Sequence, residues 1–248
     1  MSMTLERIDQ CKQILATKKP LTVGEVQQLK EYYRIGLTYT SNALEGNSLT
    51  ETETKVVIED GLTVSGKPLR DHLEALGHSS AYDHILTLVG QNNFTESDLL
   101  KLHHLFYHRI DGVHAGVYRE ERIIVTGTDF KFPNPSEVPV LMKEFFEQLI
   151  EQRKQLHPVV FAAWVHIRFV TIHPFIDGNG RLARLLMNLV LLQHGYIITL
   201  IPPILRYEYI RLVRAGNFGK CEEFYEFIAQ CILESYKEYT RLLGLTAP

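Results

Sequence analysis

Apolar residues recur at intervals of three and four along most of this chain, the spacing that lines one face of a helix. Residues 5–17 follow it and stop before Pro20. Thr22 with Glu25, Thr50 with Glu53 and Thr95 with Asp98 each set a hydroxyl three residues ahead of a carboxylate, the arrangement of a capping box. The first predicts a helix running on through Tyr32 and Tyr33, the second a helix ending near Gly61, and the third a helix over 99–108. Leu73, Leu76, Ala81, Ile85 and Leu88 give an apolar face to a helix over about 70–89. Further helices are expected over 136–153, 158–172, 182–193, 205–215 and 224–243. Residues 158–172 are apolar nearly all round, with Pro158 suited to the first turn, so this helix should be central and buried. The strand signal is confined to 123–133, where Ile123, Ile124 and Val125, a Gly127-Thr128-Asp129 turn and a return through Phe132 predict a β-hairpin. The expected fold class is therefore all-α, a helical bundle with one β-hairpin. No internal repeat or linker divides it, and we read a helical region over 1–90, a core over 91–235 and the end of a C-terminal helix over 236–248.

Composition sharpens this only by exclusion. With 248 residues, 45% apolar and 22% charged, the chain can bury a sizeable core. A net charge of −3 exerts no general pull on nucleic acid or on anionic membranes, and no apolar run reaches the length of a membrane span. Cys11, Cys221 and Cys231 are odd in number and lack metal-site spacing, and the first ten residues lack an apolar signal core, so a cytoplasmic location is expected. His103, His104 and His108 have no acidic partner at zinc-protease spacing and are not read as a metal site; His166 reads as a packed core histidine.

Chemistry concentrates between His173 and Arg184, in the run His-Pro-Phe-Ile-Asp-Gly-Asn-Gly-Arg-Leu-Ala-Arg. Gly178, Asn179 and Gly180 reach positive φ at low cost, so their amides can turn inward as an anion nest ahead of a helix N-terminus. Arg181 and Arg184 are three apart on the first turn and present two guanidinium forks to phosphate oxygens. Asp177 is a hard oxygen donor where a magnesium ion shared with phosphates would sit. His173, with a near-neutral pKa, suits a general base.

This run resembles the core motif of the Fic family, His-Pro-Phe-x-(Asp/Glu)-Gly-Asn-Gly-Arg-x-x-Arg, at every specified position. The resemblance extends over roughly residues 35–235 and implies a protein adenylyltransferase that moves AMP from ATP to a hydroxyl side chain of a target protein. On it, His173 is the base, Asp177 holds magnesium, and Gly178, Asn179, Gly180, Arg181 and Arg184 bind the phosphates. It also implies that the hairpin is a flap on which an extended protein substrate docks, with Val125, Thr126, Gly127 and Thr128 near the nucleotide; a plain surface hairpin is the lesser alternative. Tyr209 and an Asn217 following its helix match positions that enclose adenine, although the family's paired tyrosines are Tyr209-Ile210 here, and Tyr209 reads almost as well as a core residue. Family habit favours a homodimer.

Spacing alone makes Glu45 an exposed glutamate before a helix stop, with Gly46 in the C′ position and Ser41 on the same face. However, Ser41-Asn42-Ala43-Leu44-Glu45-Gly46 resembles the family's inhibitory motif, in the subclass whose inhibitory helix, here around 38–46, precedes the core. The implied device is a bidentate Glu45–Arg184 pair that denies Arg184 to the γ-phosphate. Two other readings compete: removal of AMP at the same site, and a regulator that senses nucleotide without chemistry. A pure binder has no need of His173 beside the nest, and Gly178 and Gly180 argue against kinase or phosphocholine relatives. No basic helix-turn-helix stands outside the core.

Overall fold

The computed structural model describes residues 1–18, 20–125 and 127–245. Among them lie ten α-helices and no strand: α1 (Ser2–Ala16), α2 (Val23–Ala43), α3 (Glu51–Lys55), α4 (Leu69–Thr87), α5 (Glu96–Tyr107), α6 (Val138–Gln155), α7 (Pro158–Ile172), α8 (Asn179–Gln193), α9 (Arg206–Asn217) and α10 (Glu222–Leu242). All three expected capping boxes form, with Thr22, Thr50 and Thr95 each accepting the amide three residues on. A π-helical turn, Val56–Asp60, extends α3 to Gly61, whose left-handed backbone stops it.

The bundle is organised on α7 and α8, which pack along one another. Val159, Phe161, Ala162, Val165, Phe169 and Ile172 bury the flank of α7, and Leu182, Leu185, Leu186, Leu189 and Leu191 bury that of α8. α6, α9 and α10 cover α7, while α4 and α2 cover α8. The two ends that meet, the C-terminus of α7 and the N-terminus of α8, are therefore anchored by the core itself, and the six-residue connection between them carries most of the motif.

Two expectations need correction. The β-hairpin does not form among the described residues of 119–134. An isolated two-stranded hairpin is marginal in water, and here the backbone finds side-chain partners instead. The carbonyls of Glu121 and Pro133 accept from the Arg119 guanidinium, at 3.0 and 2.7 Å, and the Phe130 amide donates to Thr128 Oγ1. Second, α8 begins at Asn179 rather than Leu182, which draws Gly180 and Arg181 into the helix.

Candidate active site

His173 ends α7 with φ of 53°, the one non-glycine residue with positive φ among those described. Its Nδ1 lies 3.1 Å from the Val170 carbonyl. A carbonyl can only accept, so Nδ1 carries the proton and Nε2 is left as a free acceptor. Burial lowers its pKa to about 4, against the smaller upward pull of the Val170 carbonyl. It is thus more firmly neutral than the near-neutral value expected from sequence.

The three-residue nest is corrected in its turn: only Gly178 is left-handed (φ 81°), and Asn179 and Gly180 are already helical. A Cβ on Gly178 would lie 2.7 Å from Phe106 Cε1, so glycine is required for space as well as for φ. Asn179 spends its side chain internally: Oδ1 accepts from the Phe175 amide at 3.0 Å and Nδ2 donates to the Phe175 carbonyl at 2.9 Å. The anion site is accordingly the N-terminus of a long buried helix, whose first amides have no intrahelical acceptor.

Around that terminus the charges are already paired. Arg184 is 2% exposed and fully engaged: Nε donates to Ser41 Oγ (2.9 Å), Nη1 to the Tyr209 hydroxyl (2.8 Å), and Nη2 both to the Ser41 carbonyl and to Glu45 Oε1 (each 2.8 Å). The Glu45 contact is monodentate, not the bidentate pair expected, because the fork is divided among three residues. Burial pushes the Glu45 carboxyl up, but Arg184 and Arg181 outweigh it and hold the group below its ordinary value. Local backbone chemistry brings Glu45 there. The Asn47 amide reaches back to the Asn42 carbonyl and the Gly46 amide to that of Ala43, with Gly46 at φ 98°, which is a Schellman-type stop with Glu45 immediately before its left-handed glycine. Its Oε1 then lies so close over Gly180 that a Cβ there would fall 2.3 Å away.

Arg181, also buried, forms an ion pair from Nη1 to Glu74 Oε1 at 2.9 Å and donates from Nη2 to Asp177 Oδ1 at 3.1 Å, stacking over Phe106. Asp177, 34% exposed, also meets Arg70 and accepts from the Gly178 amide. Arg70 bonds Glu74 as well, and Asn47 Nδ2 donates to Glu74 Oε2. Three arginines and three carboxylates thus close a balanced cluster. Arg70 and Glu74 were not picked out in the sequence; their i,i+4 spacing was the available signal, and it is shared by any solvated helix pair. Behind Asp177, His103 accepts the Gly116 amide on Nδ1 and donates from Nε2 to the Asp177 carbonyl at 3.2 Å, its ring stacked on Phe175.

Tyr209 is buried on α9 with its hydroxyl between Arg184 and His166 Nε2 (3.0 Å). Asn217, expected after α9, is its last residue, and its Oδ1 accepts from Thr171. Val125 and Gly127 are exposed and Thr128 half-buried; Gly127 rests against the Arg214 guanidinium, while Thr126 lies outside the described residues. Phe132 places its ring 4.6 Å from that of His173. Among the described residues no three His, Cys, Asp or Glu side chains group to hold a metal. One hard carboxylate facing an anion site fits magnesium shared with phosphates, not a protein cage.

Residues 93–191 match the Fic/DOC family. Among curated relatives, the protein adenylyltransferase Fic of Culex quinquefasciatus is 37% identical over 229 residues, covering 91% of this chain and 45% of that protein. The protein of the same name in Drosophila grimshawi is 38% identical over 195 residues, covering 78% and 40%. The chain thus spans less than half the length of these relatives. Among solved structures, Fic-1 of Caenorhabditis elegans (residues 134 to 508) superposes with a TM-score of 0.88 at 26% identity, covering 97% of this chain and 72% of that one.

Proposed function

We propose, from the match of residues 93–191 to the Fic/DOC family, that the chain is an autoinhibited protein adenylyltransferase, moving AMP from ATP to a hydroxyl of a target protein. The observation that carries this reading is the free Nε2 of a neutral His173 beside a helix N-terminus whose arginine is held by Glu45. His173 Nε2 takes the proton of the target hydroxyl, and the oxygen attacks the α-phosphorus as pyrophosphate leaves. The free amides at 179–181 and the forks of Arg181 and Arg184 hold the phosphate chain in line. Asp177 would hold magnesium, which supplies positive charge to the diphosphate; Arg70, half exposed, is free to swing aside. Tyr209 and Asn217 are assigned to the adenine side, and Val125 to Thr128 to the nucleotide and to a target segment lying along the 119–134 flap.

In this reading Glu45 inhibits by occupying Arg184. ATP enters with its γ-phosphate unanchored, and a small misplacement of the α-phosphorus suppresses attack. Release of the Glu45 latch, coupled to dissociation of a homodimer, sets the activity. We keep the cytoplasm as the location, on the three free cysteines; among the described residues no helix is long and apolar enough to cross a membrane.

A second reading, removal of AMP from a modified target, is favoured by one detail. Among the described residues no hydrogen bond reaches Glu45 Oε2, and a third of the side chain is exposed, so it can hold a water against the phosphorus.

The test is transfer of α-labelled AMP to the chain itself and to cell lysate, with wild type, Glu45→Gly, and Glu45→Gly with His173→Ala. Faint label in wild type, strong label in Glu45→Gly and none in the double variant is expected. A Glu45→Gly protein that binds ATP and labels nothing would sink the transferase reading.

A further inference from the structure

Arg119 lies beside the motif loop but, among the described residues, pairs with no carboxylate. It is 3% exposed, and among the described residues no acidic oxygen lies within 4 Å of its guanidinium. Burying a cation without a counterion is costly, so its hydrogen bonds must return something. Among the described residues they go to backbone carbonyls: Nε to His173 (2.8 Å), Nη1 to Glu121 (3.0 Å) and Nη2 to Pro133 (2.7 Å). In addition its own amide donates to the Pro174 carbonyl at 2.9 Å. Three separate pieces of chain, the motif loop and both ends of the flap segment, therefore meet on one side chain.

The His173 carbonyl explains why a cation is used. It sits at the C-terminus of α7, where carbonyls lack intrahelical donors and the helix dipole is negative. It also belongs to a residue in left-handed conformation, which is strained for a side-chain-bearing residue and persists only where the surroundings over-determine it. The Pro133 carbonyl follows Phe132, whose ring lies on the imidazole, so the donor that fixes the His173 backbone also fixes the ring that covers its side chain.

We propose that Arg119 is a positioning residue for the transfer reaction: by gripping the carbonyls of His173, Glu121 and Pro133 it holds the base and the flap as a single rigid unit. The inference rests on the adenylyltransferase reading for what the unit is used for, but not for the grip itself. A planar fork with donors in several fixed directions suits three divergent carbonyls; an ammonium on a shorter reach does not.

The experiment compares Arg119→Ala and Arg119→Lys in the Glu45→Gly background. Two quantities are read: transfer of α-labelled AMP with ATP affinity alongside, and tryptic cleavage after Arg122 and Lys131, which lie within the gripped segment. Arg119→Ala should slow transfer by about 100-fold while ATP affinity changes by less than about tenfold, because the phosphate groups are held by α8. Cleavage should rise by about tenfold as the segment opens. Millimolar guanidinium should restore both in Arg119→Ala, and Arg119→Lys should resemble the alanine variant. Should Arg119→Ala not fold, Arg119→Lys, which keeps a cation without the fork, carries the same comparison. Unchanged transfer and cleavage in both variants would overturn the proposal, as would loss of ATP affinity in parallel with rate. If the Glu45→Gly parent transfers nothing, the function assigned above fails separately: faster cleavage with guanidinium rescue still upholds the grip, and unchanged cleavage ends it.

Discussion

Glu45 Oε1 and Arg184 Nη2 stand 2.8 Å apart across 139 positions of sequence. The pair joins the C-terminal stop of α2 to the second turn of α8, and it puts a carboxylate at the C-terminal end of α2, whose dipole disfavours it. The buried guanidinium of Arg184, aided by Arg181 and by the N-terminal end of α8 beneath the carboxylate, makes the location favourable. The charge, and not the bare acceptor, should therefore do most of the holding. Glu45→Gln keeps an oxygen for Nη2 but removes the charge, and transfer should rise by about tenfold over wild type, against about 100-fold for Glu45→Gly. A quantitative labelling series of the three proteins measures this; a glutamine variant no faster than wild type would show that the carboxylate's charge has no part in the latch.

Gly178 combines a left-handed backbone with a Cβ position already occupied by Phe106. Gly178→Ala adds strain of about 1–2 kcal/mol from φ and overpacking of about 1–3 kcal/mol. Urea unfolding should show both. Pairing it with Phe106→Leu should recover the packing part alone, and full recovery would mean that backbone conformation costs nothing here.

The pKa of His173, lowered by burial to about 4, bears on catalysis through its sign. A base works deprotonated, so a depressed value leaves it competent at every pH above that value and loses it only as pH falls through about 4. The imidazole proton resonances of His173, followed by NMR, should titrate well under the ordinary histidine range. The rate of the Glu45→Gly protein should stay flat between pH 6 and 8. Titration near 6.5 would remove burial as the tuning device.

Two histidines carry the same sign into stability. His78 is fully buried, with its pKa lowered by burial to about 3, and burial lowers His166 well below its ordinary value. Each is neutral when folded and takes up a proton when unfolded below about pH 6.5, so the unfolded state binds more protons there. Their contribution is whole above that pH and is lost as pH falls toward the folded-state values. Urea midpoints should drop steadily from pH 6.5 to 4.5. His166→Phe, which leaves the Tyr209 hydroxyl its Arg184 partner, should remove one proton's worth of that slope; an unchanged slope would show that His166 is already charged in the fold.

Much of the site was legible because its residues are contiguous. His173, Asp177, Gly178, Arg181 and Arg184 lie within twelve residues, from the end of α7 into the second turn of α8, and no long-range fact is needed to bring them together. The three capping boxes and the Gly46 stop were equally readable, being settled by atoms a few residues apart. The flap was misread for a related reason. A β-branched run reports a preference for extended backbone, but not where its carbonyls go, and here Arg119 takes two of them. Asn179 likewise offered its residue type to the nest, and the fold used its side chain to clamp Phe175.

By itself, then, the sequence determined what is settled within about five residues: helix starts and stops, the turn at Gly178, the all-helical class and the chemistry collected in one motif. Only the tertiary structure decided which distant charges meet. Glu45 read from spacing as a solvated glutamate, and Arg70, Glu74, His103 and Arg119 carried no local mark of their roles. The physical reason is that a buried charge is costly until partnered, while spacing along a helix says only which face a charge shares. Burial at the junction of α2, α4 and α8 is what turns Glu45, Glu74, Arg181 and Arg184 into obligate partners.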